Sequence, residues 1–187
     1  IFGVLFGVSI TSQPLWIKIS ERIDKKPSII LGLGSSLVGA IYFLVLVFLK
    51  DSVAGQAQWF LPFAALSGFG MGGLFTMPLS MVADTIDVEE LASGERKEGL
   101  YFGCMTLSYK LSQSAAIFIL GVFLDLVRFN SSLLVQPPGI ELALGIILAV
   151  GCMLSIGVAI LCYSKYKLNQ SKIEQVQQQL ELRRQNK

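Results

Sequence analysis

Apolar runs of membrane-spanning length dominate this 187-residue chain, at about residues 1–17, 28–49, 59–83, 99–127 and 139–163. A helix needs about 20 apolar residues, at about 1.5 Å each, to cross a hydrocarbon core about 30 Å thick. The last four runs reach that length, and the first reads as a shortened span. Buried helices of a soluble domain would show polar faces at a 3.6-residue period, and these runs do not. In lipid every backbone N–H and C=O must be satisfied within its own segment, which leaves helices as the solution here. The expected fold class is an all-α integral membrane protein.

The remaining composition narrows function. Only 15% of residues are charged, against about 25% in a soluble domain, and mean hydropathy is +0.64. The absence of histidine excludes His-type metal sites and Ser-His or Cys-His catalysis. Cys104, Cys152 and Cys162 lie in apolar runs at no metal-ligand spacing and are expected to be small buried hydrophobes. No enzyme activity, bound metal, cofactor or nucleic-acid partner is expected. The chain opens IFGVLFGVSI, without Met and without a basic stretch or cleavage site ahead of it. It is therefore expected to be a fragment lacking an N-terminal part.

Charge placement gives an orientation. Lys18, Arg22, Lys25 and Lys26 follow the first run, Arg96 and Lys97 lie between the third and fourth, and Lys165, Lys167, Lys172, Arg183, Arg184 and Lys187 follow the fifth. Only Lys50 and Arg128 lie in the two other connections. Basic residues accumulate on the cytoplasmic side, so the tail from 165 to 187 and the loop 84–98 are expected there. Plasma membrane is the expected location. In the tail, Ile173, Val176 and Leu180 fall on one face of a short amphipathic helix capped near Asn169 or Ser171. That helix either is solvated or packs beneath the membrane domain. Asn130-Ser131-Ser132 matches a glycosylation sequon.

Lys110 is the exception within the spans. Counting from Gly99, it lies roughly 16 Å into the fourth run, near mid-depth. An ammonium there costs a few kcal/mol unless it faces water, a carboxylate or a ligand. Gly103, Thr106, Lys110, Gln113 and Ser114 share a helical face, with Tyr109 beside it. This stripe is either an internal charge site holding helices together or a ligand or ion pathway. No carboxylate of the chain lies at its depth, so its partner is expected in the missing part, in a substrate or in water.

Small residues four apart, Gly3/Gly7, Ser35/Gly39 and Gly68/Gly72, resemble the packing motifs of membrane helices. Pro78 is expected to kink the third run. At the end of that run Asp84 and Asp87 oppose the macrodipole of a helix C-terminus and require basic partners, of which Arg22, Arg96 and Lys97 are candidates. Salt bridges closing a gate and ordinary interfacial solvation are both open readings. Glu95 and Glu98 are expected to favour the start of the next helix.

Several of these residues form a recognisable set. Met81-Val82-Ala83-Asp84, Asp87, Gly94-Glu95-Arg96-Lys97-Glu98-Gly99 and Lys110 resemble the signature of the glycoside–pentoside–hexuronide:cation symporters, a major facilitator family that includes the melibiose permease. Pro14-Leu15-Trp16 and Ser20-Glu21-Arg22 resemble its loop between helices eight and nine, and Lys167-Leu168-Asn169 the start of its tail. The resemblance covers essentially the whole chain. It implies the C-terminal part of a major facilitator fold, helices eight to twelve, whose partner is an N-terminal half carrying the cation-binding aspartates. It further implies alternating-access symport of a sugar or glycoside with Na+, Li+ or H+. Lys110 would sit where cation and sugar sites meet, with Thr106, Tyr109, Gln113 and Phe75 facing substrate. Asp84, Asp87, Arg96 and Arg22 would be charges of a cytoplasmic gate. Phe75 stands where the melibiose permease has tryptophan, and Met105 and Tyr109 also differ, which disfavours melibiose itself. An Asp-rich helix-ten signature is shared with sodium-coupled lysophospholipid carriers, so a lipid substrate is the alternative, and a non-transporting scaffold the rival from another class.

Overall fold

A computed structural model describes residues 1–130, 132, 133, 136, 137 and 139–185. The elements are α1 (Phe2–Ile23), α2 (Lys25–Phe48), the short α3 (Lys50–Val53), a 3-10 turn (Ala57–Phe60), α4 (Leu61–Ser93), α5 (Glu98–Leu126), α6 (Ile140–Ser164) and α7 (Gln170–Gln185). Five of these are long and apolar enough to cross a membrane. The expected all-α membrane fold is what the chain adopts. The middle residue of the Asn130–Ser132 sequon lies outside the described residues.

The core is a three-helix unit, with α4 against both α1 and α2, α6 along α2, and α7 beneath α4. Lipid tails are as apolar as leucine, so close backbone approach, rather than escape from water, holds such helices together. The glycines of α4 make that approach possible. Gly68 and Gly72 meet α1 at Leu5 and Ser9, whereas Gly70 meets Gly32 and Ser36 of α2. Ser35 and Gly39 face Leu66 and Ser67, with the Ser35 hydroxyl donating to the Leu66 carbonyl at 2.8 Å. A Cβ at Gly3 or Gly7 would meet nothing within 4 Å, so of the three expected packing motifs that one packs against no other helix among the described residues. Trp16 fills the remaining space beside Gly73 and Gly32, and its indole donates to the Phe69 carbonyl at 2.7 Å.

Three boundaries differ from the sequence reading. The segment Pro14–Arg22 is helical rather than loop, because α1 runs to Ile23 and the whole connection to α2 is Asp24. Helix α4 continues through Pro78 to Ser93, so the expected loop 84–98 shrinks to four residues. Gly94 ends it in the left-handed region at φ 77°, its N–H bonding the Glu90 carbonyl. At 33 residues α4 is about 50 Å long, so its last turns project beyond the bilayer. The three cysteines are exposed in this chain and not the buried hydrophobes expected, because α5 and the outer face of α6 are left uncovered by it.

Candidate functional site

Two regions carry the polar residues singled out above. The first is the mid-depth stripe on α5. No residue of α5 is buried, and it packs on the rest of the chain chiefly through α4. Thr106, Tyr109, Lys110 and Gln113 are all exposed on it, as is Phe75 on α4. Lys110 has no hydrogen bond or ion pair among the described residues; its Nζ lies 5.9 Å from the centre of the neighbouring Tyr109 ring. Thr106, Tyr109, Lys110 and Gln113 thus share an open face of α5, and among the described residues no carboxylate pairs with Lys110.

The second region is a network of charges at the end that carries α7, centred on the α1–α2 connection. Asp24 adopts φ 80° and ψ 159°, a conformation that costs a non-glycine residue about 1–3 kcal/mol. Its carboxylate offsets that cost by accepting from the Lys25 N–H at 2.6 Å and the Gln170 N–H at 3.1 Å, at the first turns of α2 and α7. Two lysines at the start of α2 oppose the helix dipole, and each is compensated elsewhere. Lys25 Nζ donates to Asp84 Oδ2 at 2.6 Å, and Lys26 Nζ donates to the carbonyls of Ser164 at 2.6 Å and Tyr166 at 3.0 Å. Three consecutive residues thus tie α7, α4 and the end of α6 to one corner.

Asp84 is accordingly paired with Lys25 and not with the expected Arg22, Arg96 or Lys97. Arg22 is exposed at the end of α1, without an acidic partner among the described residues. With α4 continuing to Ser93, Asp84 also lies well before the helix terminus, where the macrodipole argument does not apply. Beside the pair, burial and then the Asp84 carboxylate push the Tyr166 phenol up to about 12, which keeps it neutral.

Asp87 does pair with Arg96, at 3.1 Å, and Arg96 also reaches Glu90 at 2.7 Å and Glu98 at 2.6 Å. Hydrogen bonds to Glu90 first and Glu98 second hold the Arg96 guanidinium more firmly in its charged form. Lys97 reaches Glu89 at 3.6 Å and Glu95 at 3.7 Å. Glu90 is shared with the tail through Arg184 Nη2 at 2.9 Å. Arg183 donates to the Leu91 carbonyl at 2.7 Å and Gln177 to Asp87 at 3.2 Å. Ile173 and Leu180 are buried under α4. The tail helix packs beneath the membrane domain, capped by Asn169, whose Oδ1 accepts from the Lys172 N–H at 3.3 Å. Sequence reading used Lys25, Lys26 and Arg184 only for orientation, and passed over Asp24 and Glu90. The one available signal was the 3–4 spacing of Ile173, Val176 and Leu180, which demands an apolar surface.

Docking of α7 rests on that surface more than on its exposed ion pairs, which contribute little. Leu180→Asp is expected to remove roughly 2 kcal/mol of docking free energy and to undock the helix. Hydrogen exchange over residues 170–185 would then approach that of a free helix while α1, α2 and α4 stay protected. Unchanged protection would show that the tail is held by something other than its apolar face.

Comparison with known proteins adds identity to this geometry. A relative in Synechocystis sp., named as an uncharacterized symporter, is 27% identical over 96% of this chain and 33% of its own. The sodium-dependent lysophosphatidylcholine symporter 1 of Xenopus tropicalis is 25% identical over 98% of this chain and 34% of its own. A protein of Escherichia coli, provisionally named glycoside/cation symporter YagG, is 30% identical over 56% of this chain and 23% of its own. The chain thus spans about one third of the length of the curated relatives it matches. No solved structure matches it significantly. The model of one family covers residues 1–170, every membrane-spanning helix included, and by that match the chain belongs to the MFS/sugar transport protein family.

Proposed function

We propose that this chain forms the C-terminal part of a cation-coupled secondary transporter that moves a sugar or glycoside by alternating access around a site near mid-depth. The observation that supports it best is Lys110, placed near the middle of a membrane-length helix with no acidic partner among the described residues. An N-terminal half of the same transporter supplies the missing partner and most of the Na+, Li+ or H+ site. Thr106, Tyr109, Gln113 and Phe75 face the substrate, and Lys110 couples it to the cation. The chain performs no enzymatic chemistry and binds no nucleic acid. The end carrying α7 is cytoplasmic, in the plasma membrane, where Asp84, Asp87 and Arg96 act as gate charges, with Arg22 left to meet the other half.

A lysophospholipid substrate is the second reading, favoured by the match of a lysophosphatidylcholine symporter over nearly the whole chain. A non-transporting scaffold predicts that no solute accumulates at all. The test is the complete transporter in vesicles with an imposed sodium or proton gradient, offered labelled glycosides and a labelled lysophospholipid. Gradient-driven glycoside uptake is expected, falling by at least about a hundredfold in Lys110→Ala, the scale of losing an interaction worth about 3 kcal/mol. Uptake in that variant at the original rate and cation dependence would remove Lys110 from the mechanism. The isolated 187-residue chain, with α5 unpartnered, is expected to be unstable and inactive.

A further inference from the structure

Far from the α5 stripe, at the end of the bundle opposite α7, α2 and α6 diverge around a cleft of about 550 Å³. That volume is within the range of about 300–1,000 Å³ typical of small-molecule sites. No residue of α5 lines it. Its wall is apolar, with Phe43, Leu46 and Val47 from α2 and Leu142 from α6. Its floor is closed, because α2 and α6 approach so tightly at Gly145 that a Cβ there would meet Val47 at 2.7 Å. It is a blind cleft and not a channel.

Two charges of opposite sign stand at its rim. Lys50 begins α3, and Glu141 is in the first turn of α6. Neither makes an ion pair or a side-chain hydrogen bond among the described residues, although both line the same cleft. Val47 and Gly145 lie about one turn deeper than these charges, some 5 Å along the helices. The rim is also at the height of an aromatic anchor. The Tyr42 hydroxyl donates to the Trp59 carbonyl at 3.0 Å, and the half-exposed Trp59 indole donates to Gln56, itself part of the cleft, at 2.8 Å. Amphipathic rings of this kind sit at the headgroup level of a bilayer.

We propose that this cleft binds one phospholipid with a phosphate–amine headgroup, drawn from the leaflet opposite α7. The phosphate is held by Lys50, the headgroup ammonium by Glu141, and the start of an acyl chain lies along Phe43, Leu46, Val47 and Leu142. Charge order selects this class. An anionic lipid lacking the amine would bring its phosphate against Glu141 with nothing to neutralise that carboxylate. A water-soluble zwitterion would leave the apolar wall uncovered. The site is separate from the transport stripe and so independent of the substrate carried.

The test is the complete transporter in nanodiscs containing a phosphatidylethanolamine with a photoreactive group on its acyl chain, followed by digestion and mass spectrometry. Labelling is expected on peptides covering 43–60 and 140–145, unaffected by excess transport substrate. The double variant Lys50→Gln/Glu141→Gln is expected to lose roughly tenfold of it, the scale of one charge-assisted hydrogen bond. Leu142→Trp, which fills the cleft and keeps both charges, is expected to lose it as well. The proposal is overturned by equal labelling of the double variant or by equal labelling with a phosphatidylglycerol analogue. It is also overturned by competition from substrate, or by no labelling of these peptides.

Discussion

Gly70→Ala is expected to destabilise the bundle severely, although it adds a single methyl group. The new Cβ would collide with the Gly32 carbonyl oxygen and crowd the Ser36 amide nitrogen at 3.1 Å, both of them backbone. Only the Ser36 hydroxyl, the third neighbour, could rotate away. Overpacking a well-packed core costs about 1–3 kcal/mol, and more when backbone must shift. Here α2 would have to retreat from α4 along the most extensive contact in the molecule, so a cost of at least about 3 kcal/mol is expected. In a domain stable by only about 5–15 kcal/mol that is a large share. Gly157→Ala is the control, since a Cβ there would meet no neighbouring helix within 4 Å among the described residues and alanine favours helix by up to about 1 kcal/mol. Thermal unfolding of the purified protein should show a lower midpoint or no folded protein for Gly70→Ala and no loss for Gly157→Ala. Equal midpoints would mean that the α2–α4 interface is looser than its geometry.

The second large effect belongs to the pair that joins α2 to α4. Asp84 has a side chain 6% exposed, and Lys25 one 25% exposed. Removing one member of a buried ion pair leaves an uncompensated charge, at about 3–5 kcal/mol. Water reaching the Lys25 side places Asp84→Ala near the lower end. Lys25→Ala should cost at least as much, because the aspartate it strands is the more deeply buried member. The double replacement Lys25→Met/Asp84→Leu should cost much less than the two single losses together, since apolar substitutes leave no stranded charge. A double-mutant cycle from thermal or denaturant unfolding supplies the measurement, and additive losses would show that the two side chains do not depend on each other.

The membrane helices were legible in the sequence because lipid imposes a length and a composition that leave few alternatives. The Gly68/Gly72 contact was legible for the same reason, as small residues four apart have one common use there. The ends of the helices were not. Arg22 and Lys25 are three residues apart in one basic stretch, and choosing between them requires knowing that the chain reverses at Asp24. That reversal has no glycine to announce it. The polar residues after Ala83 resemble a loop by composition, yet α4 stays helical to Ser93, with α7 packed against it and Arg183 donating to the Leu91 carbonyl. In the candidate site, the exposed placement of Lys110 and Thr106 followed from helical spacing. What faces them did not, because among the described residues nothing packs over that face of α5.

The bareness of α5 has a consequence for biogenesis. Every other spanning helix has buried residues against its neighbours, whereas α5 has none, so within this chain the bilayer rather than protein must hold it. Lysine at a helix centre opposes insertion by about 2.5–3.5 kcal/mol, and each Leu, Ile, Phe or Val returns only about 0.3–0.6 kcal/mol. The run Ala115–Leu124, with its Ile, Phe, Leu and Val, therefore serves as the insertion signal that carries Lys110 across. Once α5 is in lipid, its polar stripe is left unsatisfied by the described residues. The energy that sets Lys110 in the membrane therefore comes from the apolar half of its own helix.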